Sequence, residues 1–245
     1  MSIVSIDPGI KNFAIYKELI PLSELKEIEI VYSTGKTQRP PRNTQAYPND
    51  DTLFEIFSRG SHVFSAVHSL IPKNEPANIP ITNEMRQGLF KLFDKYKSEG
   101  FWDNVTHVVI EEQFINTRSS KKAQGTANMT AIKIAEIAYG WILYHYPTIN
   151  ISYLPSRKKY AICRCPLTFN KKCRTTGELE SRKATKIDRK KWAATKGKEI
   201  LVIRDEEDVV DSLEELKKTQ KQKLDDIGDC IVQCQALKWV LMLQE

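Results

Sequence analysis

The chain has 245 residues, 41% of them hydrophobic and 28% charged. That balance excludes disordered, collagen-like and disulfide-stapled miniature proteins and leaves enough chain for a full core. No run approaches the ~18 apolar residues of a membrane span, since the richest stretch, residues 134–146, is broken by Glu136 and His145. The opening MSIVSIDPG has neither a basic region nor a long apolar one, so no secretory signal is expected. Five cysteines, Cys163, Cys165, Cys173, Cys230 and Cys234, are an odd number. Reduced thiols and a cytosolic or nuclear setting follow as expectations.

The net charge of +6 is unevenly placed. Between Arg157 and Lys198 stand 15 Lys and Arg against Glu178, Glu180 and Asp188, a local net of +12, which leaves the rest of the chain at −6. A concentrated basic tract of this kind suits phosphate contact, although a solvated basic face has the same composition.

Residues 2–7, SIVSID, alternate β-branched and small polar side chains and stop at Pro8–Gly9, as a strand ending in a turn does. KNFAIYKEL and KEIEIVYST also alternate, so the first 35 residues are expected to form a three-stranded meander. Residues 36–51 are polar and rich in proline and are expected to be a connection. Helical spacing covers residues 53–70, and residues 83–96 form an amphipathic helix with Met85, Leu89, Leu92 and Phe93 on one side. Residues 107–111, HVVIE, have the apolar continuity of a central strand covered on both faces. A long, almost wholly apolar helix is predicted over 121–146, a strand over 149–154, and a further helix within DRKKWAATKGKEIL. Residues 205–243 are predicted to form two helices meeting near 220–223. The pattern is α/β, with a mixed central sheet flanked by helices.

Four acids fall where such a sheet gathers side chains: Asp7 at the end of the first strand, Glu112 at the end of the central one, and Asp226 with Asp229 on the last helix. Residues at i and i+3 share a helix face. Ile227, Ile231, Cys234 and Leu237 form an apolar stripe on that helix, so the aspartates lie near its buried side, where an unpaired charge is costly. Oxygen-only ligands suit hard divalent cations, and two such ions ~3.5 to 4 Å apart drive in-line phosphodiester cleavage. Singly, each acid also reads as a turn residue, a strand end or a helix surface.

SIDPGIKNFA around Asp7, IEEQF around Glu112, YLPSRKK around Lys158 and KLDDIGD around Asp226 and Asp229 together resemble the RuvC-like Holliday-junction resolvases, most closely the branch found in poxviruses and other large DNA viruses. The resemblance runs in order from residue 2 to about residue 240. It implies an RNase H-like (RuvC-type) fold, a homodimer and paired, symmetric nicking of four-way DNA junctions. It also implies two Mg²⁺ or Mn²⁺ ions per active site and no nucleotide cofactor. If the source is viral, the protein would work where the viral DNA replicates. Asp7, Glu112, Asp226 and Asp229 match the family's acids. Glu111 and Asp225 rank second, because a one-residue shift turns a strand side chain to the other face and Asp225 also shares the face of Asp229.

In that setting the chain is expected to be one nuclease domain, residues 1–245, with insertions near 36–82 and 163–182. Lys158, Lys159, Lys190, Lys191 and Lys196 are candidate DNA contacts on the basic tract, with Arg118, Lys121 and Lys122 at the lip of the site. Lys223 or Lys158 would stabilise charge on the scissile phosphate. Cys163, Cys165 and Cys173 form an incomplete zinc set without a local histidine, Cys230 and Cys234 read as small buried residues, and Phe114 as a core, interface or junction-wedging aromatic. The rival readings are an RNA:DNA hybrid or flap nuclease of the same fold, a non-catalytic junction-binding module, and an actin-like sugar kinase, whose duplicated domains and glycine-rich loops are missing here.

Overall fold

The structure is a computed structural model that describes residues 1–33, 47–72, 75, 79–113, 129–172, 178–220 and 224–244. Its centre is a five-stranded sheet in the order β3-β2-β1-β4-β5, formed by β1 (Ser2–Asp7), β2 (Phe13–Leu19), β3 (Ser61–His68), β4 (Val105–Glu112) and β5 (Asn150–Pro155). The first three strands run antiparallel to one another, while β4 lies parallel to β1 and β5 parallel to β4. This is the mixed central sheet flanked by helices that the sequence pattern predicts.

Strand alternation sorts the core into two layers. Val4, Ile6, Ile15, Val108 and Ile110 face α3 (Asn83–Ser98) and α4 (Met129–His145), where Phe93, Trp102 and Trp141 form an aromatic cluster. Ile3, Ala14, Tyr16 and Val109 face the opposite layer, built from α2 (Asp50–Ser58), α6 (Lys186–Ile203) and α8 (Leu224–Met242). Asp7 and Glu111 belong to this second face by the same alternation. The remaining helices are α1 (Leu22–Lys26), α5 (Ser156–Ile162) and α7 (Glu207–Gln220), and β6 (Thr168–Lys172) with β7 (Leu179–Lys183) forms a separate two-stranded ribbon.

Two expectations are corrected. KEIEIVYST is not the third strand: Lys26 ends the helix over residues 22–26, and residues 27–33 make only an isolated bridge between Tyr32 and Pro48. The place beside β2 is taken by β3, with pairing from Phe13 opposite His68 to Leu19 opposite Ser61. The periodicity over 53–70 therefore spans a helix and a strand. Gly60, at φ 95°, supplies a left-handed turn between them that other residues rarely adopt. The sheet's third strand thus comes from within residues 36–82, and the 163–182 segment contains most of the β6–β7 ribbon.

The layer behind the acids is held at unusually short range. A Cβ added at Gly228 of α8 would lie 2.6 Å from the Ala193 carbonyl oxygen and 2.6 Å from Ala194 Cα of α6. Bare backbone at Gly228 is what lets the two helices touch there. The first turn of α6 is fixed by a capping box, in which the Thr185 side chain accepts from the Asp188 amide and the Asp188 carboxylate accepts from the Thr185 amide.

Candidate active site

In a parallel pair, register partners project to the same face. Ile6 pairs with Ile110, so the next residues, Asp7 and Glu111, project together toward α8 while Glu112 turns to the other side. Glu111 is 9% exposed. The structure therefore gathers Glu111 with Asp7, not Glu112. Of the adjacent aspartates on α8, Asp226 is buried at 2% exposure and Asp229 equally so, while the Asp225 side chain keeps about a third of its surface at the rim, 31%.

Two lysines penetrate this acidic group. Lys159 has no exposed surface, and its Nζ lies 3.1 Å from Asp229 and 3.6 Å from Glu111. Lys190, from α6, donates to Asp226 and lies 3.8 Å from Asp225. The Tyr160 hydroxyl donates to Asp229 over 2.7 Å, and the Ser156 hydroxyl donates to Glu111. From one turn further along α8, Gln233 Nε2 donates to the carbonyls of Ile6 at 3.3 Å and Val109 at 3.0 Å. A single side chain thereby pins the ends of the two strands that carry Asp7 and Glu111.

The electrostatics are unbalanced. Among the described residues, four buried carboxylates and Asp225 at the rim meet two ammonium groups. Burial, then repulsion from Glu111, pushes the Asp7 carboxyl well above the usual carboxylate range, and Lys159 offsets only part of this. Burial also raises Asp226 despite the attraction of Lys190. For Lys159 burial works against the charge, yet Asp229 and Glu111 outweigh it and hold the ammonium form. Among the oxygens of these four acids, Asp226 Oδ2 is buried with no hydrogen-bond partner, as is Oε1 of Gln233 beside them. Among the described residues no three His, Cys, Asp or Glu side chains close around a metal-sized site. The donor set still fits a hard divalent cation, since it is all oxygen, carries surplus negative charge and includes one unsatisfied buried acceptor.

Other candidates lie elsewhere. Lys158 is half-buried beside Lys159 on α5. Lys191 lines a groove between α6 and α7 with Val202 and Val210, and Lys196 pairs with Glu199 over the Phe57 ring. Arg118, Lys121, Lys122, Lys223, Phe114 and Cys173 lie outside the described residues. Cys230 and Cys234 are buried at 1% and 0% exposure, and the Cys163 thiol, also buried, lies 3.5 Å from the Val232 carbonyl.

Sequence reading missed three participants: Tyr160, Ser156 and Gln233. Gln233 had a usable signal, because it stands at i+7 from Asp226 and i+4 from Asp229 on one helical stripe. It also missed a second buried ionic group near the opposite end of β2. There Glu18, fully buried, pairs with Lys238 at 2.5 Å and Arg204 at 3.0 Å.

No family model and no curated protein matches the sequence. Among solved structures the chain is similar to Thermus thermophilus RuvC in complex with a Holliday junction substrate, at 8% identity and a TM-score of 0.44, covering 99% of this chain and 96% of that one. A second Thermus thermophilus RuvC structure matches at 11% identity and 0.43, with the same coverages of 99% and 96%. The fowlpox virus Holliday junction resolvase matches at 14% identity and 0.46, covering 98% of this chain and 99% of that one.

Proposed function

We propose that the protein is a divalent-metal-dependent endonuclease that resolves four-way DNA junctions, cutting two opposed strands symmetrically. One observation carries the reading: Asp7, Glu111, Asp226 and Asp229 meet on one face of the sheet, where among the described residues only Lys159 and Lys190 stand as close countercharges. A purely structural cluster would be neutralised by its partners, because unpaired buried charge is destabilising. The sequence motifs around the same residues point to the same chemistry.

Asp7, Glu111, Asp226 and Asp229 would hold the metal, Mg²⁺ or Mn²⁺. When bound, two such ions lower the pKa of an attacking water and shield the leaving oxygen in an in-line displacement at phosphorus. The chain's own residues set up that arrangement. Tyr160 orients Asp229, Ser156 orients Glu111, and Gln233 keeps the β1 and β4 ends in register. Lys159 and Lys190 restrain the acids before metal binds, and Lys190, whose side chain keeps 29% of its surface, is the one with access to a phosphate. Glu112, on the opposite face, has no part in the site.

Two equivalent cuts call for two equivalent sites, which an isologous dimer supplies. Its interface is proposed on α4, where Met129, Leu143 and Tyr144 are exposed at 47%, 44% and 82%. The whole chain is proposed to act as one nuclease domain.

The test is cleavage of a synthetic four-way junction with Mg²⁺ on a denaturing gel, with linear duplex and RNA:DNA hybrid as competitors and Asp226→Asn as control. Paired, religatable nicks in the junction that vanish in the variant are expected. Binding without cutting in either Mg²⁺ or Mn²⁺ overturns the enzymatic reading, and preferred cleavage of the hybrid replaces the substrate.

A further inference from the structure

The β6–β7 ribbon belongs neither to the central sheet nor to either core layer. Its strands pair from Thr168 opposite Lys183 to Lys172 opposite Leu179. Partners in an antiparallel pair share a face, and neighbours along a strand alternate. One face therefore carries Phe169 with Arg182 and Lys171 with Glu180, and the other carries Thr168 with Lys183, Asn170 with Ser181 and Lys172 with Leu179.

The two faces differ at one end: Lys171 and Glu180 are exposed, but the Phe169–Arg182 pair on the same face is not. Arg182 and Phe169 are half-buried, and Arg182 grips Asp188 with a two-pronged contact, Nη1 to Oδ2 at 2.6 Å and Nη2 to Oδ1 at 2.9 Å. Asp188 is the same residue that caps α6. It stands two residues, about 3 Å of helix rise, before Lys190, which touches Asp226. The ribbon is thus tied by a planar, charge-assisted clasp to the first turn of α6, the helix that also carries Lys190. Thr168, Asn170, Ser181 and Lys183 are all exposed, and the only acid on either strand, Glu180, lies on the other face. Beside the exposed Leu179 at its end, this face presents hydroxyls, an amide and an ammonium group with no carboxylate, inside the most basic part of the chain.

We infer that the ribbon is a DNA-holding arm whose Thr168/Asn170/Ser181/Lys183 face lies against a duplex arm next to the cleavage point. A two-stranded ribbon fits the roughly 12 Å width of the major groove. Small uncharged donors and acceptors beside a cation suit sugar and phosphate oxygens, which position a duplex without reading its sequence. The inference rests on the proposed nuclease reading for its location, but its test is separate.

The test measures binding of the full chain, without divalent metal, to a fluorescein-labelled four-way junction and to linear duplex across a salt series. Lys183→Glu and Lys171→Glu make the same change of charge on opposite faces. Lys183→Glu is expected to weaken binding about tenfold and lower the salt slope by about one phosphate contact, while Lys171→Glu stays near wild type. Asn170→Glu, also on the outward face, is expected to follow Lys183→Glu. Thermal melting shows whether each variant is folded. Equal weakening by both lysine variants, or by neither, overturns the inference. Wild-type protein that cuts the junction while the variants bind alike removes the arm alone. Face-selective loss of binding in a protein that never cuts keeps the arm and removes the nuclease.

Discussion

Asp7 and Glu111 project from neighbouring parallel strands to the same side of the sheet because Ile6 and Ile110, one residue earlier on each, are register partners. Glu112 faces away. The expected consequence is a sharp contrast between adjacent residues. Glu111→Gln should reduce junction cleavage by more than the about 100-fold that follows loss of a ligand's supporting partner, whereas Glu112→Gln should stay near wild type. Single-turnover cleavage at saturating Mg²⁺ checks this, and the opposite ranking would return Glu112 to the site.

Lys159 is a buried cation whose partners are the proposed metal ligands Asp229 and Glu111. Replacing it with Met removes countercharge from a site already rich in carboxylates. Metal-free protein should lose about 3 to 5 kcal/mol, the usual effect of breaking a buried pair from one side. Added Mg²⁺ should recover more stability in the variant than in wild type, since the ion then replaces the missing charge. Chemical unfolding with and without Mg²⁺ measures both quantities. Equal Mg²⁺ effects in the two proteins would show that the acids do not hold the ion.

Glu18 offers a stability probe away from the proposed chemistry. Burial opposes its charge, but Lys238 and Arg204 outweigh that and lower its pKa from 4.5 to about 2. A depressed carboxylate stabilises the fold above its unfolded pKa, and that contribution fades as pH falls through the folded value. Glu18→Gln should therefore cost about 3 to 5 kcal/mol near neutrality by leaving two buried cations unpaired. The gap between variant and wild type should narrow as pH drops from 4.5 toward 2. Urea unfolding across that window tests it, and a pH-independent gap would contradict the ion-pair origin.

Gly228 touches the α6 backbone at Ala193 and Ala194, with no space for a methyl group. Gly228→Ala should destabilise the protein by about 1 to 3 kcal/mol, as overpacking does, although alanine is the better helix former. Parting α6 from α8 also moves Lys190 away from Asp226, so cleavage should fall further than stability alone explains. Melting temperature and cleavage rate, measured on the same preparation below its melting point, separate the two effects.

Patterns local in sequence were legible without a structure. The alternation of residues 2–7, the apolar run into Glu111, the amphipathic face of 83–96 and the helical character of 207–220 and 224–242 all match the observed elements. What failed depended on competition between segments. KEIEIVYST has the alternation of a strand, but β3 occupies the edge of β2, and pairing is decided by which partner arrives with a compatible turn. Gly60 provides that turn.

The candidate site divides the same way. Spacing alone put Asp226 and Asp229 on one helix face, and sequence order alone brought acids to the ends of the first and central strands. Which of Glu111 and Glu112 shares the face of Asp7 was a matter of tertiary structure, because facing depends on register with β1. Tertiary structure also decided which basic residues meet the acids: Lys159 and Lys190 do, while Lys191 and Lys196 turn to other contacts. A sequence determines periodicity, since that is a property of one chain segment, whereas register and charge pairing exist only once two segments have packed.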